Sequence, residues 1–408
     1  MRVYLPTIAL CIAAVGFSQG LLFDTTRYVE VKTFDPRTLQ GFVQNDLPES
    51  ISMREYAPIP IDQTGNSCVG VATTYESLSI MHNRNMGITN PFVNTIRAFD
   101  PYCVYNQIAQ APGCSQGTYT EDALEALAEM GAKKMWMDPF LDCYSDIGAH
   151  IEDQSNAFII TDYKRLFDWD DDVKYDVVKK IVATGTPVVV AMYAPASLWR
   201  EDMGGNVGDD GLWKLDYDDR YYSWSGHAMS IIGYDDNKFG GAFEIMNSWG
   251  VDYGDGGFLW IRYEDFEDMC YGAYYMEVED YRRSSGCVAG DCENGYGIYR
   301  FKNGDIYEGF FADALFEGFG VYNFNDGSAY IGQWMQSSLN GTVIEVFDNN
   351  TYRLSKWDEG MQDPERMQDM VDEIIDYDFL NNLSILEDYG FSRIRVRPGK
   401  NTMREVEE

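Results

Sequence analysis

Hydrophobic positions along this chain follow two different rhythms. Up to about residue 282 they fall at helical spacing or in short apolar runs. Val71, Tyr75, Leu78 and Met81 recur every three or four residues and predict a helix from about Cys68 to His82. Thr120-Glu121-Asp122-Ala123-Leu124-Glu125-Ala126-Leu127 predicts a capped amphipathic helix. Lys174 to Ala183 predicts another, with Asp170, Asp171 and Asp172 at its positive end as capping residues. Thr184-Gly185-Thr186-Pro187 then turns into Val188-Val189-Val190-Ala191-Met192, a run suited to a buried strand. Residues 202–220 are rich in Gly and Asp and predict a solvated loop. Further strands are expected around His227, Phe243–Met246, Phe258–Arg262 and Ala273–Val278.

The second rhythm starts after Tyr281-Arg282-Arg283-Ser284-Ser285-Gly286, which has the composition of a linker. Gly297, Tyr299, Phe301 and Gly304 recur as Gly320, Tyr322, Phe324 and Gly327, and Tyr307-Glu308-Gly309 recurs as Tyr330-Ile331-Gly332. The period is 23 residues, with a degenerate third copy around Tyr352 and Trp357. Repeats of this length form stacked arrays. Beyond Pro364, the stripe Met367, Met370, Val371, Ile374 and Ile375 predicts a helix suited to capping the stack.

The two ends and the charge narrow the setting. Arg2, an apolar run from about Val3 to Val15, and small residues at Gly16, Ser18 and Gly20 make residues 1–20 a secretory signal. That run is too short to span a bilayer, and no later stretch is long and apolar enough, so no transmembrane segment is expected. The expected location is secreted or extracytoplasmic, with a lysosome-like compartment as a eukaryotic equivalent. The net charge of −35 argues against nucleic acid, whose phosphates need a basic footprint. Of the cysteines, Cys11 lies in the signal. With Cys68 set aside, Cys103, Cys114, Cys143, Cys270, Cys287 and Cys292 remain. The local pairs Cys103–Cys114 and Cys287–Cys292, and by elimination Cys143–Cys270, are expected among the fifteen pairings that six cysteines allow.

The chemistry is concentrated in three stretches. Asp62-Gln63-Thr64-Gly65-Asn66-Ser67-Cys68 places a cysteine at a helix start, where the helix dipole favours the thiolate. Ser225-Gly226-His227-Ala228-Met229-Ser230-Ile231-Ile232-Gly233-Tyr234 carries a histidine on a strand, and Ile245-Met246-Asn247-Ser248-Trp249-Gly250 carries an asparagine. In this order and separation they resemble the active-site segments of papain-like (family C1) cysteine peptidases. The resemblance implies Cys68 as nucleophile, His227 as base, Asn247 as its orienting group, and Gln63 with the Cys68 N–H as the oxyanion hole. Trp249 would pack over the Asn–His contact. No metal or cofactor is implied, and the substrate would be a polypeptide. Of the other histidines, His82 falls about 20 Å from Cys68 along the helix and His150 lies in no motif. Both are expected to be surface or packing residues.

The repeats resemble MORN repeats, so the expected fold is α+β. A two-lobed papain-like domain would span 47–282, with a helical left lobe and a β-barrel-like right lobe. A linker would follow at 283–292, stacked β-hairpins at 293–360, and a C-terminal helix and tail at 361–408. Residues 21–46 are much shorter than the usual inhibitory propeptide of the family, which leaves a minimal pro-region or no zymogen. A protein or lipid partner for the repeats and a purely stabilising role for them both stay open. So does a rival reading, an inactive papain-fold binding protein, because Gln63 lies five residues before Cys68 where the family usually has six. A further rival is acyl-transfer or amidase chemistry on the same triad, although Asn247 in place of Asp tilts against a transglutaminase-like site.

Overall fold

The computed structural model describes residues 20–35, 47–137, 142–145, 158–171, 174–199, 205–220, 225–348 and 351–362. Residues 1–19 of the expected signal at 1–20, His150, Asp172 and the stripe from Met367 to Ile375 lie outside the described residues.

The first rhythm folds into two lobes. The left lobe is built on one long helix that starts at Cys68–Gly70, continues through a π-helical stretch Val71–Leu78 and ends in Ser79–Met86. Shorter helices surround it. Pro91–Ile96 and Pro101–Ile108 both start with proline after a side-chain cap, Asn90 accepting from the Val93 N–H and Asp100 from the Tyr102 N–H. The right lobe is centred on the strand Gly226–Asp235. It pairs with Leu21–Leu22, Ser50–Ser52, Val188–Tyr193 and Ala242–Met246 in a sheet that is nine-stranded among the described residues.

Two expected caps are different. Thr120 lies inside the helix Thr120–Glu129, whose N-cap is Tyr119, and Tyr119 makes no side-chain capping bond. Tyr119 is also a strand residue paired with Leu22, which fixes where the helix starts. At the helix Tyr175–Ala183, the Lys174 and Tyr175 N–H groups donate to the Glu267 carboxylate. A carboxylate brought in by the fold takes the place expected for the local Asp run. The loop at 205–220 is also better anchored than its composition suggests, since Leu212 and Trp213 are buried and Trp213 Nε1 donates to Ser197 Oγ at 2.9 Å.

The second rhythm forms an eight-stranded antiparallel meander from Gly286–Gly290 to Met361–Gln362. Its first strand thus falls within the stretch whose composition suggested a linker. Tyr307, Tyr322 and Tyr330 lie side by side in register. The hairpin turns repeat with the sequence: Asp313–Ala314, Gln336–Ser337 and Glu359–Gly360 all have positive φ and are 23 residues apart. The third copy is therefore a structural repeat although its sequence has drifted. Strand alternation gives the sheet two faces. Ile298, Ile306, Val321, Ile331 and Ile344 belong to the same continuous core as the two lobes. Tyr307, Phe311, Trp334, Leu339 and Val343 form a separate cluster on the other face.

The disulfides are Cys114–Cys143 and Cys287–Cys292. The expected pairs Cys103–Cys114 and Cys143–Cys270 do not form. Cys103 and Cys270 are buried thiols. Nearness in sequence misleads here because Cys103 sits on a helix and faces the core, while Cys114 lies in a turn hydrogen-bonded to the Cys143 segment through Gly113 N–H.

Candidate active site

Cys68 is the first residue of the long helix, and its thiol is fully buried. The backbone amide of Ala228, the residue after His227, hydrogen-bonds toward the sulfur. The fold thus brings the helix start and the histidine strand together. Burial pushes the Cys68 thiol up to about 12, against the opposing pull of the Ala228 and Val69 amides. In this state Cys68 is a protonated thiol at neutral pH.

His227 and Asn247 are also fully buried. His227 Nε2 lies 2.8 Å from Asn247 Oδ1, which also accepts the Ser248 N–H at 2.9 Å. An amide oxygen can only accept, so Nε2 carries the proton and Nδ1 is the basic atom of the neutral ring. Trp249 stacks on the imidazole with ring centroids 4.9 Å apart and an interplanar angle of 23°, and Tyr253 meets Trp249 edge-on. These rings shield the His–Asn contact from water.

Gln63 lies against the same Asn247-Ser248-Trp249 segment. Its N–H donates to the Ser248 carbonyl, and Ser248 Oγ donates to Gln63 Oε1. Its amide nitrogen donates to the Gly65 carbonyl at 2.8 Å, inside the short loop that leads to Cys68. Gly65 has φ +56°, and Asn66 N–H donates to the Cys114 carbonyl, so backbone contacts hold the loop where no cysteine is available to pin it.

The N-terminal segment bridges the two lobes beside these groups, an arrangement not expected from the sequence. Leu21–Leu22 forms a strand that pairs parallel with Thr118–Tyr119 of the left lobe. Leu21 also pairs antiparallel with Gly226, directly before His227. Gly20, at φ +99°, packs so tightly on the loop before Cys68 that a Cβ would collide with the Asn66 carbonyl. Leu21 is buried, and Phe23 packs edge-on against Tyr271 at 4.6 Å. The chain then re-enters the protein. Tyr28 is fully buried and donates to the Phe167 carbonyl at 2.8 Å, and Phe34 N–H donates to the Arg165 carbonyl. The available signal was Leu21-Leu22-Phe23, an apolar triplet at a predicted mature N-terminus, which water would not favour unless the fold covered it.

Of the two expected roles, surface or packing, His82 has the packing one. It is buried beneath the repeat sheet, where Tyr281 and Glu308 face it. Among the described residues no cluster of three or more His, Cys, Asp or Glu side chains could hold a metal ion.

The family model described as papain family cysteine protease matches residues 48–277. MORN repeat models match 293–306 and 307–329. No curated protein matches the chain. Among solved structures it is similar to xylellain, a cysteine protease from Xylella fastidiosa, at 19% identity over 64% of this chain and 97% of that one, with TM-score 0.46. It is similar to digestive procathepsin L2 proteinase from Tenebrio molitor larval midgut at 19% identity, covering 64% and 78%, with TM-score 0.48. A third is bromelain protease from Ananas comosus, at 18% identity, covering 57% and 100%, with TM-score 0.40.

Proposed function

This chain belongs to the papain family of cysteine proteases, and from that premise we propose that it is an exported cysteine endopeptidase held in a self-covered form. The observation that carries the reading is the juxtaposition of the Cys68 thiol with the histidine strand, whose His227 is oriented by Asn247 at 2.8 Å beneath Trp249. The two disulfides and the signal-like start support export. No helix among the described residues is long and apolar enough to cross a membrane.

The chemistry follows from the atoms. With the cleft open, Cys68 passes its proton to His227 Nδ1. The helix start and the imidazolium then stabilise the thiolate. The sulfur attacks the scissile carbonyl. The resulting oxyanion takes hydrogen bonds from the Cys68 N–H and from the Gln63 amide, once that amide turns from Gly65. Imidazolium protonates the leaving amine, which departs and leaves a thioester. Water, deprotonated by the same imidazole, then releases the acid and restores the thiol. None of these steps calls for a metal or cofactor. While residues 20–22 bridge the two lobes no peptide can reach the sulfur, so turnover requires that segment to leave.

A rival reading, an inactive papain-fold binding protein, is favoured by the Gln63–Gly65 bond and by the depth at which Tyr28 is anchored. An epoxysuccinyl inhibitor distinguishes the two. Cys68 in the chain from residue 20 should label slowly. Leu21→Asp, which puts a charge under the cover, should label at least ~100-fold faster, and adding His227→Ala should abolish the gain. If Cys68 reacts only after denaturation in every variant, the peptidase reading fails.

A further inference from the structure

The repeat sheet is joined to the left lobe by a buried ionic cluster that plays no part in catalysis. Arg97 and Lys134 of the left lobe and Glu308 of the first repeat are all fully buried. Arg97 Nη2 lies 2.5 Å from Glu308 Oε2, and Lys134 Nζ lies 3.3 Å from Glu308 Oε1. Tyr296 donates its hydroxyl to the same carboxylate. Around this cluster, Trp136 packs against Tyr296, Phe310 and Phe319. We propose that the repeat module is an obligate structural part of the peptidase, keyed to it by Glu308, and that the whole chain folds and melts as one cooperative unit.

The repeats themselves supply the strongest argument. Glu308 occupies the position held by Ile331 in the second repeat and Leu354 in the third. That position lies on the face turned to the peptidase, where an array needs an apolar residue. The carboxylate stands only in the repeat that faces Arg97 and Lys134. Two cationic groups cannot be desolvated this completely without an anion, because each burial costs several kcal/mol; even with Glu308 beside it, burial pushes the Lys134 ammonium down to about 7. Burial and the neighbouring cations push His82 down to about 3, so it stays neutral and adds no third positive charge. The neighbouring positive charges and their hydrogen bonds hold Glu308 well below the usual carboxylate range despite its burial.

A second contact links the module to the helix that starts at Cys68. Arg300 Nη2 donates to the Asn85 carbonyl at 2.7 Å, in the last turn of that helix. A cation there satisfies an end carbonyl and complements the negative end of the dipole. Tyr281, in the connection between domain and sheet, meets His82 Nδ1 at 2.8 Å in the same helix. The module is therefore attached to the helix behind the nucleophile, and its apolar face is continuous with the main core. Loosely tethered domains meet across smaller and more polar contacts.

The test is calorimetry of the full chain, with tryptophan fluorescence as a second probe. The wild type should unfold in one transition that coincides by both probes. Glu308→Gln should lower the Tm of that whole transition by roughly 5–10 °C. Glu308→Ile, which copies the second repeat, should do no better. The triple variant Glu308→Ile/Arg97→Met/Lys134→Met should recover most of the loss, because it removes the stranded cations. Should Glu308→Gln fail to accumulate, the triple variant still decides: recovery supports the key, and equal failure overturns it. Two separate wild-type transitions, or a Glu308→Gln shift confined to one of two, would also overturn it. None of these readouts uses peptide hydrolysis, so the result stands whatever becomes of the peptidase reading.

Discussion

At the cleft, Cys68, His227 and Asn247 are fully buried, and a short stretch of extended chain pairs directly before His227 and bridges to the left lobe. Where the left lobe meets the repeat sheet, Arg97, Lys134 and Glu308 are also fully buried. The two clusters deal with burial differently. The cleft is kept neutral, since the covered thiol holds its proton and the imidazole is oriented by an amide. Uncovering it returns a reactive pair to water. The rear cluster is ionic, with the Glu308 carboxylate held between the Arg97 guanidinium and the Lys134 amine. Uncovering it would expose the aromatic surface around Trp136 and separate an anion from its two cations. A neutral cluster under a thin cover can be opened at modest cost, whereas a charged one within a shared core resists opening. That difference is the physical basis for treating the N-terminal strand as removable and the repeat module as permanent.

The comparison breaks most readily at Trp136. Trp136→Ala should cost about 3–5 kcal/mol of global stability by chemical denaturation, because the ring fills the space between lobe and sheet. If the loss is confined to the repeat sheet, the rear contact is as dispensable as the front one. Gln63 sharpens the other side. In enzyme freed of residues 20–35, Gln63→Ala should lower kcat by about 10²–10³ with the melting temperature little changed. An unchanged kcat would mean that Gln63 only holds the loop through Gly65 and Ser248.

The smallest effect is expected at Glu76, on the helix between the two clusters. It is fully buried, and desolvation pushes its carboxyl up to about 8, partly offset by a hydrogen bond from Ser230. Because the folded value lies above the ordinary 4.5, the stability contributed by the neutral acid is complete below about pH 4.5 and is lost as pH rises through about 8. Wild-type protein should therefore lose about 3 kcal/mol between pH 5 and pH 8 that Glu76→Gln retains. Parallel pH curves for the two proteins would refute this.

The local chemistry was readable in the sequence. Cys68 at a helix start, His227 on an apolar strand and Asn247 before Ser-Trp-Gly each depend on short-range pattern, and so do the paired faces and 23-residue turns of the repeats. Spacing along the chain fixes helix and strand periodicity directly. What the sequence could not determine were the encounters between distant segments. Leu21 could not be assigned to Gly226, Glu267 to the helix start at Lys174, Cys114 to Cys143, or Glu308 to Arg97 and Lys134. Each of these contacts is chosen by which surfaces the tertiary fold brings together. Its energy depends on burial and on the group that faces it, neither of which a residue meets until the remote partner has arrived.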